Sequence, residues 1–248
     1  MERSLASAIG IDIGEGASRC RVELLPGRAA MLPESRTLLV ADLHLGKAAT
    51  FRKAGLPVPE GAAQQDLARL LGLVEATGAR RLVILGDLFH AASGCTTTVL
   101  DEFRMFREGI AAIETVLVLG NHDRRVRLPA SLGLDLVVPE LVEGHVRFIH
   151  DPGDAGEPNE RHESLDRGAA DRRVTFCGHL HPRLAIRSPS GGRLTERCFV
   201  ESDGCFVLPA FGSFTGTHAV EPAAGMRLFA AGLDAVVDVT RMALLAAG

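Results

Sequence analysis

The chain has 248 residues, and with 46% of them hydrophobic it can bury one substantial core. Its formal net charge of −4 argues against a surface coated in basic charge for holding duplex DNA, although a small basic rim around an acidic, cation-binding site stays open. Tyr and Trp are absent, so any base-stacking surface would depend on Phe or His. We expect one domain over residues 1–248.

The cysteines and the apolar stretches predict where the protein works. Five cysteines, without a Cys-x-x-Cys pair, indicate free thiols in a reducing compartment. The start MERSLASAIGIDIG lacks a long apolar run, so we expect no signal peptide. The most apolar stretch near the C-terminus is interrupted by Asp234, Asp238 and Arg241, which predicts no membrane span. The expected location is the cytoplasm, with no membrane partner.

The first half of the chain alternates between predicted strands and helices. In order, we expect a hairpin over Cys20–Pro33, a buried strand over Leu38–Ala41, a helix over Gly61–Thr77 stopped by Gly78, a strand from Arg81, a helix over Thr96–Gly109 and a strand from Thr115. This alternation predicts parallel βαβ units.

The second half is richer in strands. His145 and Arg173 begin two further apolar strands, and residues 183–240 consist of short β-like runs. We therefore expect a second sheet packed on the first. Residues 151–171 carry several Gly, two Pro and many charges, which predicts an exposed loop near the mouth of any site at these strand ends. The loop is either an inert insertion or a lid over the substrate.

Five of these strands end in side chains that can bind metal ions. They are Asp42 and His44, Asp87, Asn121 with His122 and Asp123, His150, and His179 with His181. One such group is common by chance, but five in succession at strand ends are not. In α/β sheets, ligand sites lie beyond the carboxyl ends of the strands. We therefore expect all five groups to meet above one sheet edge.

These motifs resemble a known set. Asp42-x-His44, Gly86-Asp87, Gly120-Asn121-His122-Asp123, His150 and Gly178-His179-x-His181 resemble the motifs of the calcineurin-like metallophosphoesterases. The segments LLVADLHLGKAATFRKAGLPVP, ILGDLFH and CGHLHP further resemble the bacterial ligase-associated phosphoesterases and endonucleases of the DNA damage response. The resemblance implies an α/β fold, a four-layer α-β-β-α sandwich of two mixed sheets flanked by helices. It also implies DNA ligase and helicase as functional partners.

Mixed Asp, His and Asn side chains suit borderline divalent metals. We expect two ions, foremost Mn, with Fe, Zn or Ni as alternatives. The resemblance implies Asp42, His44 and His181 on one ion, and Asn121, His150 and His179 on the other. Asp87, which follows a buried strand and a glycine, is the expected bridge. Such a pair of ions holds a bridging hydroxide that attacks the phosphorus.

His122 and Asp123 are the expected catalytic residues. His122 would contact the phosphate and stabilise or protonate the leaving oxygen. Asp123 would orient His122 through its other ring nitrogen, or cap the following helical turn. The role of His90, three residues after Asp87, stays open between supporting a ligand, contacting substrate and simple packing.

Two basic clusters follow the motifs. Lys47, Arg52 and Lys53 follow the first motif, and Arg124, Arg125 and Arg127 follow the third. They either bind a phosphate-rich substrate or form solvated faces.

Three functions are compatible with these residues. The first is a metal-dependent phosphodiesterase or nuclease linked to DNA repair, acting on single-stranded DNA or nucleotides. The second is a phosphatase or phosphodiesterase of a small nucleotide-like substrate. The third is a scaffold without turnover, which the complete motif set disfavours.

Overall fold

The computed structural model describes residues 7–155, 173–187 and 193–247. Most of the expected loop over 151–171 lies outside the described residues. Its first part, Pro152–Ala155, forms a short 3-10 turn. Across the three described ranges, no helix combines the length and the apolar character needed to cross a membrane.

The described residues form sixteen β-strands and four α-helices. In chain order they are β1 Ile9–Ile13, β2 Cys20–Leu25, β3 Ala29–Leu32, β4 Thr37–Val40, α1 Lys47–Lys53, α2 Ala62–Thr77, β5 Arg81–Leu85, α3 Thr97–Gly109, β6 Glu114–Val118, β7 Leu136–Val138, β8 Leu141–Glu143, β9 Val146–Phe148, β10 Val174–Cys177, β11 Pro182–Arg187, β12 Arg193–Ser202, β13 Cys205–Val207, β14 His218–Ala219, β15 Arg227–Ala231, β16 Val236–Asp238 and α4 Thr240–Ala247.

The first sheet has the strand order β1-β2-β3-β4-β5-β6-β7. Strands β4 to β7 are parallel, whereas β1 to β4 pair antiparallel. Leu38 and Val40 of β4 pack towards α2 and α3, and Leu39 and Ala41 pack towards the second sheet. Both faces of this strand are therefore buried, which explains its uninterrupted apolar sequence.

The second sheet has the order β14-β11-β12-β13-β10-β9-β8, with β15 paired to β12 and β16 paired to β15. Five phenylalanines fill the space between the sheets: Phe148, Phe176, Phe199, Phe206 and Phe229. Each such buried side chain contributes about 1.5–3 kcal/mol to the hydrophobic stabilisation. Val239, which precedes α4, and Ala243 within it pack on the outer face of the second sheet. The layers are helices, sheet, sheet and helix, which confirms the expected sandwich of two mixed sheets.

Local signals placed the main helices correctly. The side chain of Thr96 accepts a hydrogen bond from the Val99 amide and begins α3. Gly78, in the left-handed region with φ 59°, ends α2. The hairpin over Cys20–Pro33 is β2 and β3. The sequence reading missed β1, which extends the first sheet, and the C-terminal helix α4.

Candidate metal centre

The five motif groups meet in one place but come from two sheets. Asp42 and His44 follow β4, Asp87 follows β5, Asn121 to Asp123 follow β6, His150 follows β9, and His179 and His181 follow β10. Strands β4 to β6 belong to the first sheet, whereas β9 and β10 belong to the second. The expectation of a single sheet edge is therefore wrong. An apolar run that ends in polar residues looks the same in either sheet, because the sequence does not show its pairing partners.

The backbone of the site is locally strained. Asp42, His44, Asp87, His179 and His181 all have positive φ, between 46° and 68°. Non-glycine residues rarely adopt this left-handed conformation, and it clusters at functional sites. Hydrogen bonds to the β5 turn hold it in place, from the Asp42 amide to the Gly86 carbonyl (3.1 Å) and from the His44 amide to the Asp87 carbonyl (2.9 Å).

Three motif glycines allow the close approach of these turns. A Cβ atom on Gly86 would overlap the His150 ring and lie 2.9 Å from the Cα of Gly120. A Cβ on Gly120 would overlap the Asp87 side chain, and one on Gly178 would lie 2.7 Å from Asp42 Oδ2. The glycines are therefore required by packing at the centre itself.

The first group of candidate ligands is Asp42, His44 and His181. His181 Nε2 lies 3.1 Å from Asp42 Oδ1 and 3.3 Å from His44 Nε2. Burial lowers the pKa of His44 to about 2 despite the attraction of the Asp87 charge, so its ring is neutral. Asp42 Oδ1 is buried and has no hydrogen-bond partner among the described residues. A buried carboxylate oxygen beside imidazole nitrogens fits a divalent cation.

The second group surrounds His150. Its Nε2 lies 3.1 Å from Asn121 Oδ1, 3.2 Å from His179 Nδ1 and 3.4 Å from Asp87 Oδ2. Its Nδ1 lies 2.9 Å from the carbonyl oxygen of Leu85, which can only accept, so Nδ1 carries a proton. A ligating histidine typically donates its second ring nitrogen in this way.

The electrostatics of this second group favour positive charge. Burial opposes protonation of His150, but the hydrogen bond with Asp87 and the charges of Asp42 and Asp87 raise its pKa to about 9. Burial would also raise the pKa of Asp87, yet His150 and the His122 amide lower it to about 2. Asp87 and His150 therefore favour a positive charge between them. A proton supplies that charge here, and a divalent metal ion bound to the same oxygen and nitrogen atoms would supply it equally.

Asp87 lies between the two groups. Its Oδ2 is 3.4 Å from His150 Nε2 and 3.7 Å from His44 Nε2. Ligand atoms lie within 4.8 Å of one another in three sets: Asp42, His44 and His181; Asp87, His150 and His179; and His44, His90 and His122. The residues present fit a site for divalent metal.

The expected partnership between Asp123 and His122 is wrong. Asp123, only 1% exposed, instead accepts hydrogen bonds from the amides of Gly120 (3.1 Å) and Phe89 (3.2 Å). The Nδ1 of His122 lies 2.5 Å from the carbonyl oxygen of His90. The ring of His90 also stacks on that of His122, with centroids 4.9 Å apart. A backbone carbonyl does what the sequence assigned to a carboxylate, and no side-chain pattern reveals that.

The two basic clusters lie in different places. Lys47 and Arg52 line a cleft of about 630 Å³ that borders His44. Arg124 and Arg125 are exposed in a 3-10 turn after His122 and do not line that cleft.

Sequence reasoning missed the buried cation behind the site. The guanidinium of Arg197 donates to the carbonyl oxygens of Ala210, Gly212, Ser213 and Thr215. Burial lowers the pKa of Arg197 to about 10, with the nearby Arg28 adding to the effect. In the segment that it holds, the Gly212 amide donates to the Asp42 carbonyl (3.2 Å). An arginine within a strand of mixed polarity gives no signal of this role.

Two packed mixed sheets flanked by helices, with Asp, His and Asn side chains gathered at their strand ends, define a metallophosphoesterase fold. The model of the calcineurin-like phosphoesterase family matches residues 35–155. Among solved structures, the chain is similar to the nuclease MPE of Pseudomonas putida, with 32% identity and a TM-score of 0.71. This likeness covers 90% of the chain and 98% of MPE.

Two weaker likenesses are at 17% identity. One is to a protein of unknown function from Aquifex aeolicus, with a TM-score of 0.37, covering 58% of this chain and 78% of that one. The other is to Yfce, a phosphoesterase from E. coli, with a TM-score of 0.38, covering 81% and 96%. No curated protein matches the sequence.

The chain belongs to the calcineurin-like phosphoesterase family and is a metal-dependent hydrolase of phosphoesters. The likeness to MPE agrees with the resemblance to the phosphoesterases of the DNA damage response.

Proposed function

We propose that the protein is a phosphodiesterase or nuclease that works with two divalent ions, Mn first among them. Asp42, His44 and His181 would hold one ion, Asn121, His150 and His179 the other, and Asp87 both. The observation that carries this proposal is the position of Asp87 Oδ2, within 3.7 Å of a histidine nitrogen from each group.

The chain's own residues have separate tasks in this proposal. When bound, the ions neutralise charge on the phosphate and lower the pKa of a water that becomes the nucleophile. The His90 carbonyl holds Nδ1–H of His122, so Nε2 is the ring atom left for the substrate. A protonated Nε2 can donate to a phosphate oxygen or pass its proton to the leaving oxygen. Asp123 stabilises the turn that carries His122 by accepting hydrogen bonds from two backbone amides, those of Phe89 and Gly120.

The proposed substrate is single-stranded DNA in a repair context, with DNA ligase and helicase as functional partners. The likeness to a nuclease over nearly the whole chain supports this choice. The cleft beside His44, which Lys47 and Arg52 line, supports a substrate that carries more than one phosphate.

The test is a substrate panel on metal-stripped protein, reloaded with Mn, Fe, Zn or Ni in turn. The substrates are an aryl phosphomonoester, an aryl phosphodiester, cyclic nucleotides, single-stranded DNA and duplex DNA. We expect Mn to support hydrolysis of the aryl phosphodiester and of single-stranded DNA. Asp87→Ala is the control and should abolish both activities. Hydrolysis of the monoester or the cyclic nucleotides alone would instead favour a small-molecule phosphoesterase.

A further inference from the structure

An aromatic pair lies at the cleft beside the candidate metal centre. Phe214 lines the cleft, and its ring packs edge-on against Phe51 with centroids 5.6 Å apart. Phe214 is 38% exposed, whereas the largest buried phenylalanines of the core are under 2% exposed. It therefore offers part of its surface to a molecule in the cleft.

A continuous row of rings joins this pair to the centre. His122 stacks on His90 at 4.9 Å, and Phe51 lies 6.2 Å from His90, with Phe214 beyond it. His122 is the residue proposed to meet the reacting phosphate. A strand that meets His122 and continues into the cleft would run along this row and reach the exposed ring of Phe214 at its far end.

Buried charges hold the segment that carries Phe214. Arg197 donates to the carbonyl oxygens on both sides of it, at Ser213 (3.2 Å) and Thr215 (2.7 Å). Asp66, at the start of α2, accepts from the Ser213 amide at 2.8 Å. The exposed ring therefore sits on a fixed support, and stacking on it loses little conformational entropy.

A cation accompanies the aromatic pair. The chain has only two lysines, Lys47 and Lys53, against 25 arginines, and both lie in α1. The half-buried Lys47 lines the cleft, and its Nζ lies 6.0 Å from the centroid of the Phe51 ring. Arg52, in contrast, is turned to the carbonyl oxygens of Val58 and Pro59. Lys47 is the cation best placed for a phosphate in the cleft.

We propose that Phe51, Phe214 and Lys47 form a nucleotide subsite next to the reaction centre. The base of one nucleotide of the strand stacks on Phe214, with Phe51 as its support, and Lys47 binds a phosphate of the same strand. This inference rests on the proposed function and names the part of the substrate that is recognised. Stacking on a π-face accepts any base, so the subsite selects unpaired strands without selecting sequence.

The test pairs a change in the protein with a change in the substrate. Wild-type protein with Mn is given single-stranded oligonucleotides in which one nucleotide at a time is abasic, around a single cleavable position. We expect one abasic position to lower kcat/KM by roughly 5- to 150-fold, the range of one base stack. On the intact strand, Phe214→Ala should show the same loss of kcat/KM as the wild type shows with the abasic strand. With that abasic strand, Phe214→Ala should show no further loss. Phe214→Trp should restore the wild-type rate.

Controls separate this subsite from folding and from the metal chemistry. Met105→Ala removes an exposed side chain (70% exposed) on α3, outside the cleft. It should leave the activity on the oligonucleotide and on a small aryl phosphodiester unchanged. Phe214→Ala should lose much less kcat/KM on a small aryl phosphodiester than on the oligonucleotide, because that ester carries no further nucleotide to stack. Equal losses by Phe214→Ala on both substrates, or an abasic effect that persists undiminished in Phe214→Ala, would overturn the subsite.

The scarcity of lysines gives a second readout that does not need turnover. Reductive methylation with ¹³C keeps the charge of each lysine and labels only Lys47, Lys53 and the N-terminal amine. The Lys47 signal, assigned with Lys47→Arg, should shift when a short oligothymidylate is added to Mn-free protein, and Phe214→Ala should weaken that binding. No shift at Lys47 would overturn its role, even if the protein proves not to be a nuclease. Absence of DNA cleavage together with the shift would defeat the proposed function and not the subsite.

Discussion

The Nδ1 atom of His122 lies 2.5 Å from the carbonyl oxygen of His90. Because a carbonyl oxygen only accepts hydrogen bonds, Nδ1 carries the proton. The His90 ring stacks on the face of the His122 ring and restricts its orientation. The segment after Asp87 therefore sets both the tautomer and the orientation of His122, and Nε2 remains for the substrate.

We expect His122→Ala to keep its metal and lose turnover. Its ring is outside the two proposed ligand groups, so the ions should bind as in the wild type. Loss of one proton donor or charge-stabilising group lowers kcat by about 10²–10³-fold. Metal content by elemental analysis and kcat on an aryl phosphodiester measure the two effects separately. Asp87→Ala is the matched variant and should lose both its bound metal and its turnover. If His122→Ala also empties the site, its assignment to substrate rather than metal is wrong.

Asp123 stabilises the backbone around it through hydrogen bonds, so its removal should lower the stability of the fold. Asp123→Ala leaves the amides of Gly120 and Phe89 unpaired in a buried place. Each unpaired buried amide costs about 1–3 kcal/mol, so we expect the free energy of unfolding to fall by at least about 2 kcal/mol. Urea unfolding of the metal-free protein measures this, with the exposed Glu108→Ala on α3 as control. If Asp123→Ala unfolded at the same urea concentration as the wild type, the proposed stabilising role of Asp123 would be wrong.

The glycines of the site are predicted to tolerate no side chain. Gly86→Ala pushes a methyl group into the His150 ring and the Gly120 backbone, and Gly86 also has φ 78°. We expect loss of metal binding together with a lower melting temperature. Gly72→Ala, in the middle of α2, meets nothing within 4 Å and should raise stability by about 0.5–1 kcal/mol. Calorimetry of the two variants decides this. Full metal binding by Gly86→Ala would show that the turns can separate without harm.

Strand ends and helix caps were the parts of this fold that local sequence could predict. The run before Asp42 is apolar because both faces of β4 are buried. Thr96 begins α3 with a local hydrogen bond, and Gly78 ends α2 by adopting the left-handed conformation. The sheet to which β10 belongs could not be predicted. It depends on pairing between Val174–Cys177 and strands β9 and β13, and one strand's own residues do not encode that pairing.

The same limit explains the outcome at the candidate site. Asp, His and Asn at strand ends reveal themselves by residue type, and the structure brings all of those groups together. Supports made by the backbone, such as the His90 carbonyl, have no residue-type signal. Arg197 acts over a distance of up to 18 residues on a segment that no local pattern connects with it.

Two buried thiols predict how stability responds to alkaline pH. Burial raises the pKa of Cys198 to about 12 and that of Cys20 to about 11, above the ordinary thiol value. The folded protein thus binds more protons than the unfolded chain once pH exceeds about 9, the range in which unfolded thiols ionise. The stabilisation from the neutral thiols is complete below about pH 8 and is lost as pH rises towards their folded values.

We therefore expect the free energy of unfolding to fall between about pH 9 and pH 10, by at most about 1.4 kcal/mol per pH unit for each thiol. Above about pH 10, deprotonation of Arg197 in the folded protein acts in the opposite direction. The chain has no Tyr, so tyrosine ionisation does not contribute in this range. Urea unfolding of metal-free protein at a series of pH values gives the slope, and Cys198→Ala should make it shallower. Val200→Ala, in the same apolar cluster, should lower stability without changing the slope. Identical slopes for wild type and Cys198→Ala would mean that this thiol already ionises at its ordinary pKa in the folded protein.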